Sequence, residues 1–307
     1  MEMRKAYSVT MAELMKQNDK IVILDADLAK ACATTTLHAQ FPNRSYDLGI
    51  CEQNMMSVAV GLSYYGYIPF VHSFAPFAVR RAYDQIAMGV AYGRANVKIV
   101  GTDPGICATL NGGTHMSFED VSAMRAIPNM LIYEPTDCNQ LIKALPQIVA
   151  HEGACYIRMT RKDDLSVFGQ DYIFDLYKAD IVREGNDLTM IVCGINTPDC
   201  VTACQQLAQE GVSVDLISVH TVKPLDNKTI IDSATKTGRV LVVENSNYKG
   251  GLYGAVCECL AINHPTYCDH ISSEDKLGEV GNLDELKSFY SMTVKDIIDK
   301  SKRLIQK

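Results

Sequence analysis

Long apolar runs are missing from these 307 residues. Nothing reaches the roughly 18 consecutive apolar residues that a membrane-spanning helix needs, and the opening "MEMRKAYSVTMAELM" has no apolar stretch of the kind a secretory signal carries. A cytoplasmic protein without membrane contact is the expectation. An excess of positive charge is missing too: 29 Lys and Arg against 36 Asp and Glu give a formal net charge of −7, so nucleic acid is not an expected partner. CxxC pairs are also absent. The 11 cysteines are scattered singly, and the closest spacings are Cys200 to Cys204 and Cys257 to Cys259. That pattern argues against a zinc site or a disulfide framework; most thiols are expected to be reduced and buried, and no metal is expected to bind this chain. Finally, no low-complexity tract or fixed-period repeat occurs, which excludes extensive disorder and a solenoid.

What is present is alternation. Apolar runs that read as buried strands are "KIVILDA" (20–26), "SYDLGI" (45–50), "YIPFVHSF" (67–74), "NVKIVGT" (96–102), "NMLIYEP" (129–135) and "ACYIRMT" (154–160). Segments of helical periodicity near 51–66, 77–93, 117–126 and 137–149 separate them. Strand and helix in turn predict an α/β fold with a parallel sheet covered on both faces. The pattern lapses into polar sequence after residue 160, then resumes with strands at 188–194, 212–219 and 239–245 and helices over 197–210, 226–236, from near Gly254 and over 284–305. The expected organisation is a first domain over 1–165, a linker over 166–187 and a smaller α/β domain over 188–307.

Several residues carry chemistry under one reading and only structure under another. Glu52, in "DLGICEQNMM", stands where a strand gives way to a helix. A carboxylate in a helix's first turn is favoured by the macrodipole alone, but ligands of open α/β sheets also collect at the carboxyl ends of strands. The segment "GTDPGICATLNGGTHMSFEDVSAMR" (101–125) strings four glycines along a long loop ending at His115. Such loops are commonly functional, glycine lets backbone approach a ligand, and a histidine there either packs or moves a proton. Phe74 and Phe77 are core residues or a slot for a flat ring. Arg158 and Arg161, at the end of a strand, are solvated or clamp a phosphate. In "ENSNYKGGLYGAV" (244–256) the glycines match neither GxGxxG nor a GKS/GKT loop, so a tight turn is the better account than a nucleotide site.

Together, "DADL" (25–28), "DLGICEQNMM", "PFVHSFAPFAVRRAYDQ", "GGTHMSFEDVSAMRAIPNM" (112–130) and "YIRMTR" resemble the transketolase family of thiamine-diphosphate enzymes, specifically its C-terminal half as a separate chain. The resemblance covers nearly the whole chain. It implies a pyrimidine-binding domain followed by the transketolase C-terminal domain, and a two-carbon ketol transfer from a ketose to an aldose. By that resemblance, Glu52 matches the catalytic glutamate that hydrogen-bonds the cofactor's aminopyrimidine, and Phe74 and Phe77 match aromatics around that ring. Asp27 matches an aspartate near the thiamine site. His115 matches a histidine that contacts substrate; Arg161 and Arg4 match arginines that bind the sugar phosphate. The family's "GDG" with a downstream Asn, which holds the diphosphate and a divalent metal, is absent. The resemblance therefore implies an N-terminal partner subunit that holds Mg2+ or Ca2+ and completes an α2β2 heterotetramer.

Departures from the family pattern bear on the substrate. Asp103 stands for a histidine and Asn111 for an aspartate that touch the sugar, Leu110 replaces a glutamate, Ala31 falls near a phosphate-binding serine, and Arg80 falls where an aromatic is common. A carboxylate at 103 should repel a phosphate, so a non-standard ketose or acceptor is expected. Two related classes share parts of the pattern: 1-deoxyxylulose-5-phosphate synthases, with "RAYDQ" and "TH", and the β-subunits of 2-oxo acid dehydrogenases. A catalytically silent structural or regulatory homologue is the reading from a different class.

Overall fold

The computed structural model describes residues 1–162 and 166–306. Among the described residues, twelve strands form two sheets: β1 (Ile21–Asp25), β2 (Ser45–Asp47), β3 (Ile68–Phe74), β4 (Lys98–Thr102), β5 (Leu131–Tyr133), β6 (Cys155–Met159), β7 (Asp180–Arg183), β8 (Leu188–Val192), β9 (Val214–Ser218), β10 (Thr221–Lys223), β11 (Arg239–Val243) and β12 (Tyr267–Ile271). The first sheet has the order β10-β5-β6-β4-β3-β1-β2, the second β12-β11-β8-β9-β7. Both are parallel except at one edge, where β10 runs antiparallel to β5 and β7 antiparallel to β9. This is the expected α/β architecture of two parallel-rich sheets.

Alternation along the strands sets the layers, because successive side chains point to opposite faces. In β1, Ile21 and Ile23 pack with Met3, Tyr7 and Met11 of the helix Met3–Gln17 and with Leu141 and Leu145 of the helix Cys138–Ala150. Val22 and Leu24 face the other way, onto Met55, Met56 and Ala59 of the helix Glu52–Tyr64. That second layer runs on without a break into Ile191, Ile217, Val240 and Val242 of the second sheet. The two halves of the chain thus share one apolar layer. Fully burying each aliphatic side chain contributes about 1.5–3 kcal/mol, so the shared layer binds them firmly. Among the described residues, no helix is long and apolar enough to cross a membrane.

The elements differ from expectation where local signals compete. The stretch 166–187, read as a linker, contains β7, which forms the edge of the second sheet; its polar edge-strand sequence, "DIVR", has no apolar run to mark it. The end of the first domain expected at 165 lies outside the described residues. The helix expected over 77–93 is instead Ala75–Val79 followed, after a break, by a π-helical turn over Gln85–Tyr92. The last helix is two, Leu283–Phe289 and Val294–Ile305, each opened by a capping box, at Asn282 and Thr293. Those caps satisfy otherwise orphaned N–H groups and fix the break between the helices.

Candidate functional site

Parallel strands bring their carboxyl ends to one rim, and the rim of the first sheet carries the chemistry. Phe74 ends β3, Thr102 ends β4 beside it, and Met159 ends β6 beside that. Glu52 opens the helix that follows β2 after the turn at Gly49 (φ +75°). Its side chain is only 1% exposed, and both carboxylate oxygens accept from Arg81 Nη1 at 2.8 Å, with Ser73 Oγ 3.5 Å away. Arg81 itself is 44% exposed and lies over the ring of Phe77, 4.4 Å from its centre. His115 meets Phe77 and Phe74 edge-on at 5.2 and 5.9 Å, and its Nδ1 lies 2.9 Å from Thr114 Oγ1. Arg161 covers the face of Phe74 at 4.5 Å. A continuous chain of contacts therefore runs Glu52, Arg81, Phe77, His115, Phe74, Arg161.

Asp103 closes that chain. Its Oδ1 accepts from the backbone N–H of Arg161 at 2.9 Å, its Oδ2 from Arg161 Nε at 2.5 Å, and Arg161 Nη2 adds a further contact. Burial pushes the Asp103 carboxyl up from its ordinary range, against the pull of the Arg161 guanidinium. Asp103 sits at φ +50°, a conformation that aspartate adopts more readily than most residues. Asp103, Arg161, Lys162 and Asn111 line a cavity of about 220 Å³, and Leu283 reaches into it from the second half of the chain. A larger cavity, about 880 Å³, lies among residues at the opposite ends of the strands, such as Ser63, Asn96 and Gly153. It contains none of these groups, so chemistry rather than size identifies the rim as the candidate site.

The remaining expected residues stand apart from the chain of contacts. Asp27 is exposed at φ +57°, with its backbone N–H donated to Asp47 Oδ1 at 2.9 Å. Arg4 pairs with Glu2 and donates to Ala31 O at 3.0 Å; only its backbone N–H reaches the site, donating to Arg161 O at 3.1 Å. Asn111 and Leu110 are exposed. Beside Asp27, the buried Asp25 accepts from Thr34 Oγ1 and lies 2.8 Å from His38 Nε2, which fastens the segment 29–40 to the end of β1. Hydrogen bonding to Asp25 raises the His38 pKa from its ordinary value, against partial burial.

Two candidate features have other employment. Arg158 is fully buried and donates to Asp120, Glu134 and the Asn245 carbonyl; it pins the two halves together and is not placed to clamp a ligand. The glycines of 105–113 approach protein rather than leaving room at the rim. A β-carbon on Gly105 would lie 2.2 Å from Asn245 Oδ1, and one on Gly113 would lie 2.6 Å from the Gly278 carbonyl. Asn245 also bonds Ile106 N and Pro104 O, so this loop is docked onto the second half of the chain. In "ENSNYKGGLYGAV", Glu244 accepts from the N–H groups of Leu252 and Tyr253 and occupies the helix N-terminus where an anion would sit.

Arg81 and the Asp103–Arg161 pairing were not visible from sequence. The doubled arginine "RR" at 80–81 was the available signal, but only one of the two turns to the site; Arg80 pairs with Glu119 instead. A buried carboxylate at a rim that also carries two aromatic rings fits a protonatable, flat heterocycle that presents a ring nitrogen. Among the described residues, no group of three or more His, Cys, Asp or Glu is placed to hold a metal ion.

The model of the transketolase pyrimidine-binding domain matches residues 1–164, and that of the transketolase C-terminal domain matches residues 177–297. Over 296 residues, 96% of this chain and 92% of the relative, the sequence is 45% identical to the 6-deoxy-6-sulfo-D-fructose transketolase subunit of Clostridium sp. (strain MSTE9). It is 36% identical, over 99% of this chain and 95% of the relative, to a transketolase C-terminal section of Methanocaldococcus jannaschii. Among solved structures, a split-gene transketolase described as an inactive β4 tetramer superposes with a TM-score of 0.92 at 34% identity, covering 100% of this chain and 99% of that one. The transketolase of Campylobacter jejuni shares the fold, with a TM-score of 0.80 at 20% identity, and this chain spans 46% of its length.

Proposed function

We propose that this chain, which belongs to the transketolase family, supplies the pyrimidine side of the active site in a split enzyme. The reaction is transfer of a two-carbon ketol unit from a ketose with an acidic terminal group to an aldose. A separate N-terminal subunit would hold the diphosphate and its Mg2+ or Ca2+, with two copies of each chain in the assembly. When bound, thiamine diphosphate supplies the nucleophilic carbon and electron sink for this transfer.

The observation that carries the reading is the buried Glu52 carboxylate paired with Arg81, whose guanidinium lies over Phe77, which in turn adjoins His115 and Phe74. In this role Glu52 would hold a proton against a ring nitrogen of the cofactor, and Phe74 and Phe77 would border the ring. His115, half-buried at the same rim, would donate to or accept from a sugar hydroxyl. Arg161 would face the acidic end of the sugar, with Asn111 and Arg4 at its margin. Asp27 would border the thiamine without touching the chain of contacts. The name of the Clostridium relative supports a sugar ending in a sulfonate, as does a carboxylate at position 103, where a histidine is expected.

A silent homologue is the second reading, favoured by one observation: Arg81 occupies both oxygens of Glu52. One experiment separates the two. The chain is mixed with the diphosphate-domain subunit, thiamine diphosphate and magnesium, and ketol transfer is followed with 6-sulfonated, 6-phosphorylated and unsubstituted ketoses. Transfer by the mixture and not by either chain alone is expected; no transfer from any donor would leave the silent reading standing.

A further inference from the structure

We infer that Asp103 tunes the cavity beside Arg161 to a terminal group carrying a single negative charge, so that a sulfonate is taken in preference to a phosphate. The inference rests on the transferase reading above and deepens it. Three charged side chains line the cavity among the described residues: Arg161, Lys162 and Asp103. Two are cationic and one is anionic, which leaves one positive charge for the ligand.

Asp103 cannot readily swing out of the way. Its carboxylate takes a backbone N–H and the guanidinium of Arg161, and its own N–H donates to the Met159 carbonyl at 3.0 Å. Arg161 is in turn held between Asp103 and the face of Phe74, with 8% of its side chain exposed. Nε and Nη2 are committed to Asp103, and Nη1 has no partner among the described residues. A guanidinium carries five N–H donors, so Arg161 still offers part of its fork to a ligand while its charge is already matched.

The two terminal groups differ in charge more than in shape. A sulfonate carries one negative charge throughout the working range of pH. A phosphate monoester carries about −1.5 to −2 at neutral pH, with its second pKa near 6. Among the described residues lining this cavity, the second charge of a phosphate would have no partner, and it would lie close to the fixed Asp103 carboxylate, where screening by solvent is weak. Below pH of about 6 the phosphate loses that charge and should become acceptable.

The test compares kcat/KM for a 6-sulfonated and a 6-phosphorylated ketose, matched otherwise, in the assembled two-subunit enzyme between pH 5.5 and 8. At pH 7.5 the wild type should prefer the sulfonate at least about tenfold, and the ratio should narrow as pH falls through 6. Asp103→Asn, which removes the charge and keeps the shape, should shift the pH 7.5 ratio toward phosphate by about tenfold and flatten its pH dependence. Asp103→Ser repeats the test should the amide disturb folding. Equal use of both donors at pH 7.5, or an unchanged ratio in folded variants, would overturn the inference while leaving ketol transfer intact. Absence of transfer from every donor would remove the transferase reading and this inference with it.

Discussion

At the Glu52 end of the first sheet's rim, the carboxylate is buried but its partner Arg81 reaches solvent. At a second rim, where the carboxyl ends of the two sheets meet, Glu134 of the first sheet and Glu244 of the second are buried, and so is Arg158, the partner of Glu134. Glu134 crosses from the end of β5 to Arg158, so close to the turn after β8 that a β-carbon on Gly194 would lie 2.1 Å from its carboxylate. Glu244 fills the N-terminus of the helix Leu252–Asn263. Both rims lie at the carboxyl ends of parallel strands, where ligands of such sheets collect. Topology alone does not separate them. What separates them is whether the partner of the buried carboxylate can be exchanged: Arg81 can turn to water, whereas Arg158 has only other protein groups to go to.

The largest expected effect tests whether that exchangeable carboxylate is a working group. Glu52→Ala in the assembled enzyme should lower ketol transfer by about 10²–10⁴, the range for a positioned acid–base group, while circular dichroism and assembly stay as in the wild type. Turnover near the wild-type value would erase the distinction between the rims.

The closed rim should answer in stability instead. Arg158→Ala strands Asp120 and Glu134 in the interior, and removal of one member of a buried ion pair costs about 3–5 kcal/mol. A urea titration reads it as a lowered midpoint. A midpoint within experimental error of the wild type would show that the second rim is as open to water as the first.

Arg81→Gln asks whether the pairing at the first rim competes with ligand. It removes the donor that occupies both Glu52 oxygens, and thiamine diphosphate should bind the assembled enzyme about twofold to threefold more tightly, as expected on losing a half-exposed ion pair worth about 0.5 kcal/mol. A cofactor titration by near-UV circular dichroism measures this. Weaker binding would instead make Arg81 a residue that positions Glu52 for the ring.

The smallest effect concerns the segment behind the first rim. The folded-state pKa of His38 is raised by its bond to Asp25, so its contribution to stability is fully present below the unfolded value near 6.5 and is lost as pH rises through the folded value. The burial-lowered His72 and His220 act in the opposite sense, costing stability as pH falls below 6.5. The difference between wild type and His38→Gln isolates the first term. Their urea midpoints should lie further apart at pH 6 than at pH 8, and a constant gap would dissociate His38 from Asp25.

The reach of the sequence follows sequence separation. Six of the seven strands of the first sheet were legible as local runs, and Glu52 because the strand-to-helix junction lies within a few residues of it; the three-residue β10 was not. Glu52 and Arg81 are 29 residues apart, and Asp103 and Arg161 are 58 apart; no local pattern announces either pairing. The glycines of 105–113 were legible as sites of close approach, but their partners, Asn245 and Gly278, lie in the other half of the chain. Arg158 and Arg161 shared one expectation as strand-end arginines. The pleat decides between them: Arg158, inside β6, points into the space between the halves, while Arg161, beyond its end, turns to the rim.

The short strand β10 lies antiparallel along β5, and its consequence is for modularity. Expressed without the second half, the first would end its sheet in the bare N–H and C=O groups of Leu131–Tyr133, a template for another strand. It would also uncover the apolar layer shared with Ile191 and Val240. Two domains by descent, these halves are one body by mechanics, so a cut between them is expected to yield fragments that clump rather than modules that can be swapped.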